Sequence, residues 1–272
     1  MAAALRFGDP RAAVDPLTGR VTTDSYAGGA GPADRCALEF AVRVAEELGG
    51  RCLAVTVGPP TVEEVLRDAL AAGADEVLRI DGPSGDGAAT AVSLCAGLAA
   101  TGVTPDLVMC GDRSAERGTG STPAFLAALL GAAQALGLTE LDVDDGGLRA
   151  VRRLDGGRRE VLDVPLPAVC SVEPGTAVPR RAPLRTVLAA RTRPVPSVTV
   201  PASPDSGVRT GPVRPYRARP RYLPAPAGDL PRDRLLALTG AHTTPRVPPR
   251  LVAPGSPAEA ARLLLEHLRA RT

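Results

Sequence analysis

The sequence predicts a three-layer, Rossmann-like α/β fold: a mainly parallel sheet with a β-hairpin addition and an extended C-terminal arm. Apolar strand-like runs alternate with helical segments as far as Gly131, which indicates parallel strands with helices on both faces of the sheet. Short strand-like runs separated by Asp-Gly-Gly turns follow, and these predict hairpins. Of the 28 prolines, 20 lie in residues 161–257, where proline excludes a regular α/β layer.

The predicted elements follow in order along the chain. Strands are predicted at residues 3–7, 52–57, 76–80 and 106–110, helices at 33–48, 62–73, 89–102 and 122–131, and hairpin turns at 145–147 and 155–157. A last helix is predicted at 256–270, because Ser256 can cap it and Pro257 suits its first position. The sequence therefore predicts an α/β domain at 1–193 and a proline-rich arm at 194–272 that ends in this helix.

Composition excludes several classes of protein. Hydrophobic residues make up 44% of the chain, but it has no Trp, three Phe and three Tyr, so the core is aliphatic and aromatic platforms for single-stranded nucleic acid are lacking. The chain has no lysine, which excludes a Walker-type phosphate loop and Schiff-base chemistry. A net charge of +2 gives no sign of a polyanionic partner such as nucleic acid.

Cysteine usage and hydropathy predict a soluble, cytoplasmic protein without membrane insertion. The five cysteines lie far apart in apolar runs, so we expect them in the core of a protein from a reducing compartment. No signal peptide opens the chain, and no apolar run approaches the roughly 18 residues of a membrane span. The two histidines, His242 and His267, lie far from the alternating region, so we expect neither a catalytic triad nor a metal site.

Three glycine-containing loops follow strand ends or precede helices. They are AGGAGP at 27–32, VGPP at 57–60 and GDRSAERGTGS at 111–121. Small residues let backbone N–H groups approach an anion, and a helix N-terminus favours negative charge. None of the loops has the spacing of a dinucleotide fingerprint, so ordinary strand–helix turns and a nucleotide site are both open interpretations.

Three arginine pairs, at 152–153, 158–159 and 180–181, could bind a phosphate or an acidic partner. Exposed hairpin charges are the favoured interpretation for the first two pairs. For Arg180 and Arg181 both interpretations stay open.

Four segments, in the same order, resemble electron transfer flavoprotein β subunits over roughly residues 1–200. They are VDPLTGRV (14–21), GPADRCALEFAVRVAEE (31–47), GTGSTPAFLAALLG (118–131) and AVRRLDGGRREVLDVPLPAVCSV (150–172). The last is the most specific, because it repeats the family's order of Arg, an acidic-Gly-Gly turn, Glu, an aliphatic residue and Pro before a small apolar strand. The resemblance implies a sheet like that of the adenine-nucleotide α-hydrolases.

The resemblance also implies a division of labour within a heterodimer. The α subunit holds most of the redox FAD, while the β subunit binds a structural AMP or a second FAD and is an electron carrier, not an enzyme. Carried over by position, the nucleotide would contact Gly31, Pro32, Ala33, Val57, Gly58, Ala115, Glu116, Arg117, Gly118, Thr119, Gly120 and Ser121. Gly31, Ala33 and Ser121 replace the family's Asn, aromatic residue and Gln, and each replacement removes a contact near the nucleotide.

The family docks flavin-dependent dehydrogenases through a leucine on a protruding loop, which here is the segment 179–194. Leu184 then lies at the anchor position between Arg181 and Arg185, which suits transient contacts during electron transfer to a downstream acceptor. The arm at 194–272 would pack on the α subunit. One alternative is a stand-alone adenine-nucleotide-binding module of the universal-stress-protein type, which would lack the docking loop and the arm. Another is an adenylating enzyme, for which the chain offers only Arg113 and Arg117 at the phosphates.

Overall fold

A computed structural model describes residues 1–9, 11–24, 28–144, 147–201, 211, 225–226, 229–239 and 252–269. The chain divides into two compact units, Met1–Tyr216 and Arg217–Thr272. The strands of the first unit are β1 (Ala2–Ala4), β2 (Phe7–Gly8), β3 (Ala13–Val14), β4 (Val21–Thr22), β5 (Gly29–Ala30), β6 (Leu53–Val57), β7 (Glu76–Asp81), β8 (Leu107–Gly111), β9 (Ala133–Asp144), β10 (Gly147–Arg153), β11 (Arg159–Val164), β12 (Ala168–Val172) and β13 (Ser197–Thr199). Its helices are α1 (Pro32–Glu47), α2 (Glu63–Ala71), α3 (Gly87–Ala100), α4 (Thr122–Leu130) and α5 (Leu184–Thr192).

Nine of these strands form one sheet in the order β11-β10-β9-β12-β8-β1-β6-β7-β13. All neighbouring pairs from β9 to β13 in this order are parallel, while β10 and β11 add antiparallel strands at one edge. The predicted α/β class, parallel core and hairpin addition are confirmed. The turn predicted at 145–147 includes two residues, Asp145 and Gly146, that lie outside the described part of the chain.

Two aliphatic clusters, one on each face of the sheet, hold the layers together. In β8, Leu107 and Met109 pack with α1 and α2 on one face, whereas Val108 and Cys110 pack with α3 and α4 on the other. This alternation follows from the two-residue period of a strand. Strands buried on both faces read as continuous apolar runs, which is why they could be recognised from sequence.

Element boundaries differ from the predictions at the start of the chain. A single strand was expected at 3–7, but β1 ends at Ala4 and Phe7 pairs with Ala30 in a separate two-stranded sheet. The chain leaves the main sheet after Leu5, and the guanidinium of Arg6 donates hydrogen bonds to Glu116. The helix expected at 62–73 begins with a 3-10 turn over Pro60–Val62 and continues as α2.

The main sheet extends past residue 193, the predicted end of the nucleotide-binding domain. Strand β13 pairs with β7 at Ser197–Thr199, and Val200 is buried against the same layer. The second unit contains α6 (Pro231–Thr239) and α7 (Pro257–Arg269). Ser256 caps α7, since its hydroxyl accepts the N–H of Glu259 at 3.2 Å, as expected.

The cysteines lie where the sequence predicted them. Cys36, Cys52, Cys110 and Cys170 are buried and Cys95 is half-buried, all as free thiols. Burial raises the pKa of Cys52 and of Cys170 to about 12 and also raises the pKa of Cys110 and Cys95. Within the described ranges, no helix combines the length and hydropathy needed to cross a membrane.

Candidate functional site

A cleft of about 220 Å³ opens at the carboxyl ends of β1, β6 and β8. The chain passes from β1 through α1 to β6 on one side, then returns through α3 to β8 on the other side of β1. Strand order therefore reverses at β1, and such switch points are where open α/β sheets bind ligands. The cleft is lined by Ala4, Leu5, Arg6, Phe7, Asp34, Val57, Gly58, Pro59, Val62, Ser84, Asp86, Gly87, Thr90, Leu94, Cys110, Gly111, Arg113, Ser114, Arg117, Thr119, Gly120, Thr122 and Pro123.

Two helix N-termini converge on one end of the cleft. Helix α3 begins at Gly87 after Asp86, whose carboxylate accepts the N–H of Ala89 at 2.8 Å, and α4 begins at Thr122. A Cβ added to Gly87 would overlap the hydroxyl of Ser121 and lie 3.2 Å from the backbone nitrogen of Thr122, so the two helix starts lie close together here. Free N–H groups and helix dipoles make such an end favourable for an anion.

The loop 111–121 is shaped by its own backbone. Ser114 donates its N–H to Thr119 O at 2.8 Å, and Gly118, in a left-handed conformation, donates to Ser114 O at 2.9 Å. A Cβ added to Gly120 would overlap the carbonyl oxygen of Asp112. Glycine at 120 is thus required by the loop itself, and not by room for a phosphate.

The charged side chains of this loop point in different directions. Glu116 leaves the cleft and pairs with Arg6 at 3.0 Å, and its other oxygen accepts the N–H of Asp9 at 3.3 Å. Arg117 bridges the cleft to the loop before α3, because its guanidinium donates to Gly85 O. Arg113 also lines the cleft. Arg113 and Arg117 thus bring two guanidinium groups, which bind phosphate well, to the cleft.

Asp34, in the first turn of α1, is an acidic group at the floor of the cleft. Only 8% of the residue is exposed. Burial raises the pKa of this carboxyl from 3.8 to about 7, although backbone N–H groups of Gly31, Gly111 and Arg6 and the charge of Arg6 act in the opposite direction.

The structure brings five of the twelve predicted nucleotide residues to the cleft: Val57, Gly58, Arg117, Thr119 and Gly120. Three more, Gly31, Ala115 and Glu116, line a small adjoining pocket with Arg6, Gly8 and Asp34. Pro32, Ala33, Gly118 and Ser121 belong to the same loops but are not among the residues that line either space.

Sequence reasoning missed the contributions of Arg6, Asp34 and the loop before α3 with Ser84 and Asp86. Asp86 carried a readable signal, since Asp followed by Gly-Ala-Ala-Thr is typical of a capped helix start. Asp34 carried none, because a first-turn acidic residue is ordinary on any helix.

The predicted docking segment is helical rather than a loop. Leu184 is the first residue of α5 and is 73% exposed; Leu188, one turn later, is 53% exposed. Pro183 precedes the helix in an extended conformation, and α5 packs on α2, where the Thr186 hydroxyl donates to Ala71 O at 3.3 Å. Arg181 and Arg185 are exposed beside Leu184.

Arg180 holds the start of this segment against α1. Its guanidinium donates to Glu46 at 2.7 Å and to Glu39 at 3.1 Å, and its backbone N–H donates to Glu39 at 2.9 Å. The hydrogen bonds with Glu46 and Glu39 raise the pKa of Arg180. Of these two neighbouring arginines, Arg180 therefore has a structural role, whereas the side chain of Arg181 is exposed.

The hairpin arginines also have carboxylate partners close by. Arg152 pairs with Glu160, Arg153 with Glu173 at 2.7 Å, and Arg159 with Glu140 at 3.1 Å. These contacts favour a structural role, as expected. In the described part of the chain, no group of three or more potential metal ligands occurs. His267 lies in the last turn of α7, and His242 falls outside the described residues.

Comparisons with known proteins identify the family that the chain resembles. A family model described as "Electron transfer flavoprotein domain" matches residues 18–203. The chain is 31% identical over 175 residues to the electron transfer flavoprotein subunit beta of Methylophilus methylotrophus, covering 61% of this chain and 65% of that protein. It is 30% identical over 158 residues to the Dictyostelium discoideum subunit beta, covering 58% and 62%, and 30% identical over 186 residues to Protein FixA of Sinorhizobium fredii, covering 65% of each. The chain thus spans slightly less than two thirds of each of these relatives.

Proposed function

The chain belongs to the electron transfer flavoprotein family, and we propose that it acts as the β subunit of a heterodimeric electron transfer flavoprotein. In this role it has no catalytic activity by itself. Together with an α subunit it passes electrons from a dehydrogenase, through FAD held mostly by the α subunit, to an acceptor. The observation that carries the proposal is the family match over residues 18–203, which includes the glycine loops, the hairpin and α5.

A stand-alone module of the universal-stress-protein type is the less favoured function. Such a module needs the sheet and the cleft only. The family match continues through the antiparallel strands β9–β11 and through α5, which a simple nucleotide-binding module does not require.

We further propose that the cleft holds AMP in a structural role. Arg113, Arg117 and the two helix N-termini suit its phosphate, and Val57, Val62 and Leu94 offer an aliphatic wall for its base. The cleft volume of about 220 Å³ suits the smaller of the two candidate ligands, a mononucleotide, better than a second FAD. The FAD of the heterodimer supplies the redox chemistry, while this chain's residues bind and orient the nucleotide.

The exposed face at the start of α5 is proposed to dock the dehydrogenase. Leu184 would enter a pocket of the partner, and Arg181 and Arg185 would steer an acidic surface toward it. An apolar anchor framed by charge at the rim is typical of weak, transient contacts.

The second unit is proposed to pack on the α subunit. Helix α7 exposes Leu264, Leu265 and Leu268, and none of its residues is buried. An amphipathic helix of this kind is stabilised mainly when its apolar stripe packs against another surface.

The experiment that tests the function is co-expression with a cognate α subunit, followed by a visible spectrum and nucleotide extraction. We expect a yellow heterodimer containing FAD and AMP, and a colourless chain prone to aggregation when it is expressed by itself. A stable yellow homodimer with stoichiometric FAD would contradict the proposal. A colourless, stable chain that binds AMP and forms no heterodimer would favour the stand-alone module.

A further inference from the structure

The fold reserves space for a carboxyl group at the floor of the cleft. A Cβ added to Gly111 would lie 3.0 Å from one oxygen of Asp34, and a Cβ added to Gly31 would lie 3.1 Å from the other. Asp34 lines both the cleft and the small pocket beside it. The carboxyl is therefore packed against two glycines, and the residue that carries it borders the ligand space.

The charges around Asp34 do not give it a dedicated cation. Arg6, from the chain after β1, faces it but also pairs with Glu116 from the loop after β8. Cys110, from β8, is held as a neutral thiol because burial raises its pKa. On its own helix the next residue is Arg35, whose side chain donates to Ala30 O at 3.1 Å. The remaining charged residues that line the cleft are Asp86, Arg113 and Arg117.

A bound nucleotide makes the surroundings of Asp34 less favourable for the ionised carboxylate. It displaces water from the exposed side of the carboxyl, and its phosphate adds negative charge to the same cleft. Both effects disfavour the ionised form of an acid. Because burial already raises the pKa of Asp34 to about 7, the change falls in the physiological range.

We propose that Asp34 is a further contact residue of the nucleotide cleft and takes up one proton from solvent when an adenine nucleotide binds. This inference rests on the proposed function, since it concerns the same cleft. By linkage, nucleotide affinity then falls as the pH rises above the value at which Asp34 ionises in the free protein. Asp34 acts by contact with the ligand and not by catalysis.

The test is calorimetric titration with AMP of the heterodimer, from which bound nucleotide has been removed, between about pH 6 and about pH 8.5. If binding moves the pKa of Asp34 by about one unit, affinity should fall by up to about tenfold across this range. Near pH 7.5, titrations in two buffers of different protonation enthalpy should show proton uptake. Asp34→Asn should remove the uptake and flatten the profile, apart from the contribution of the AMP phosphate, whose second pKa is about 6.

Asp68→Asn is the matched control, because Asp68 on α2 is a half-buried carboxyl with a raised pKa that does not line the cleft. It should leave the profile unchanged. If Asp34→Asn weakens binding equally at every pH, or if the wild-type heterodimer binds AMP without proton uptake, the inference is wrong while the nucleotide site stands. If AMP binds at no pH, the nucleotide site and the inference fail together. The buffer comparison uses the wild-type heterodimer, so the outcome does not depend on the variant folding.

Discussion

The nucleotide cleft and the exposed face of α5 are built in opposite ways. In the cleft, the carbonyl of Asp112 approaches Gly120 so closely that there is no room for a side chain. On α5, Leu184 and Leu188 extend into solvent. The cleft loop is thus constrained by the fold, whereas these two exposed leucines are not. Substitutions in the cleft loop should change stability as well as binding, and substitutions of the exposed leucines on α5 should change binding only.

The largest expected effect is the pH dependence of stability caused by Asp34. Its pKa is higher in the folded state, about 7, than the ordinary 3.8, so the fold favours the protonated acid. The contribution is fully present below about pH 4 and is lost as the pH rises through about 7. At 1.36 kcal/mol per pKa unit, the loss has an upper limit of about 4 kcal/mol. Urea unfolding of the wild type and of Asp34→Asn at several pH values checks this.

In that experiment the free energy of unfolding of the wild type should decrease, relative to the variant, between about pH 4 and about pH 7. Parallel curves for the two proteins would show that Asp34 is not a buried acid of this kind, and the contrast between cleft and surface would lose its strongest support.

The next effect is on the loop that contains Gly120. Gly120→Ala forces a Cβ against the carbonyl of Asp112, and overpacking of this type costs about 1–3 kcal/mol. We expect a lower Tm and loss of AMP from the heterodimer, with FAD retained. Gly85→Ala is the control, because a Cβ there meets open space in a neighbouring loop. Retained AMP in Gly120→Ala would mean that this loop does not shape the site.

The third effect concerns docking. Leu184→Ala should weaken binding of the dehydrogenase by about 2 kcal/mol, the level of an interface hot spot, or roughly thirtyfold. The Tm, the FAD content and the reduction by dithionite should not change, because the side chain is exposed. Leu17→Ala, at an even more exposed leucine on the turn between β3 and β4, is the control. A lower Tm with unchanged affinity would instead place Leu184 in a subunit contact.

The smallest effect is expected for Arg180, which joins the docking segment to α1. Arg180→Gln removes the guanidinium contacts with exposed Glu46 and buried Glu39. The backbone N–H of residue 180 still donates to Glu39, and the guanidinium is partly exposed, so we expect a cost of about 1 kcal/mol. We expect a slightly lower Tm and weaker docking through a looser α5, both less marked at high salt. Arg181→Gln should lower only the rate of association with the dehydrogenase. A large loss of AMP in Arg180→Gln would show that the two regions are coupled through α1.

The sequence predicts the sheet well because its parallel strands are apolar on both faces and alternate with helices along the chain. It predicts which loops line the cleft but not the side-chain contacts that these loops make. Arg6, which follows β1, forms an ion pair with Glu116, and Asp34 packs against Gly111. Both partners lie far along the chain. Such pairings depend on the folded arrangement and leave no local signal. The helix at α5 was missed because the resemblance implied a loop, although packing on α2 stabilises a helix there.

The placement of the cysteines makes their thiols slow to react with oxidants and alkylating agents. Oxidation and alkylation proceed through the thiolate, and exposed thiols of low pKa react first. Here every cysteine is buried or half-buried, and burial raises the pKa of Cys52, Cys95, Cys110 and Cys170. The core thiols are therefore protected from oxidants in the folded chain, and a thiol-reactive dye added to it would report unfolding, not surface labelling.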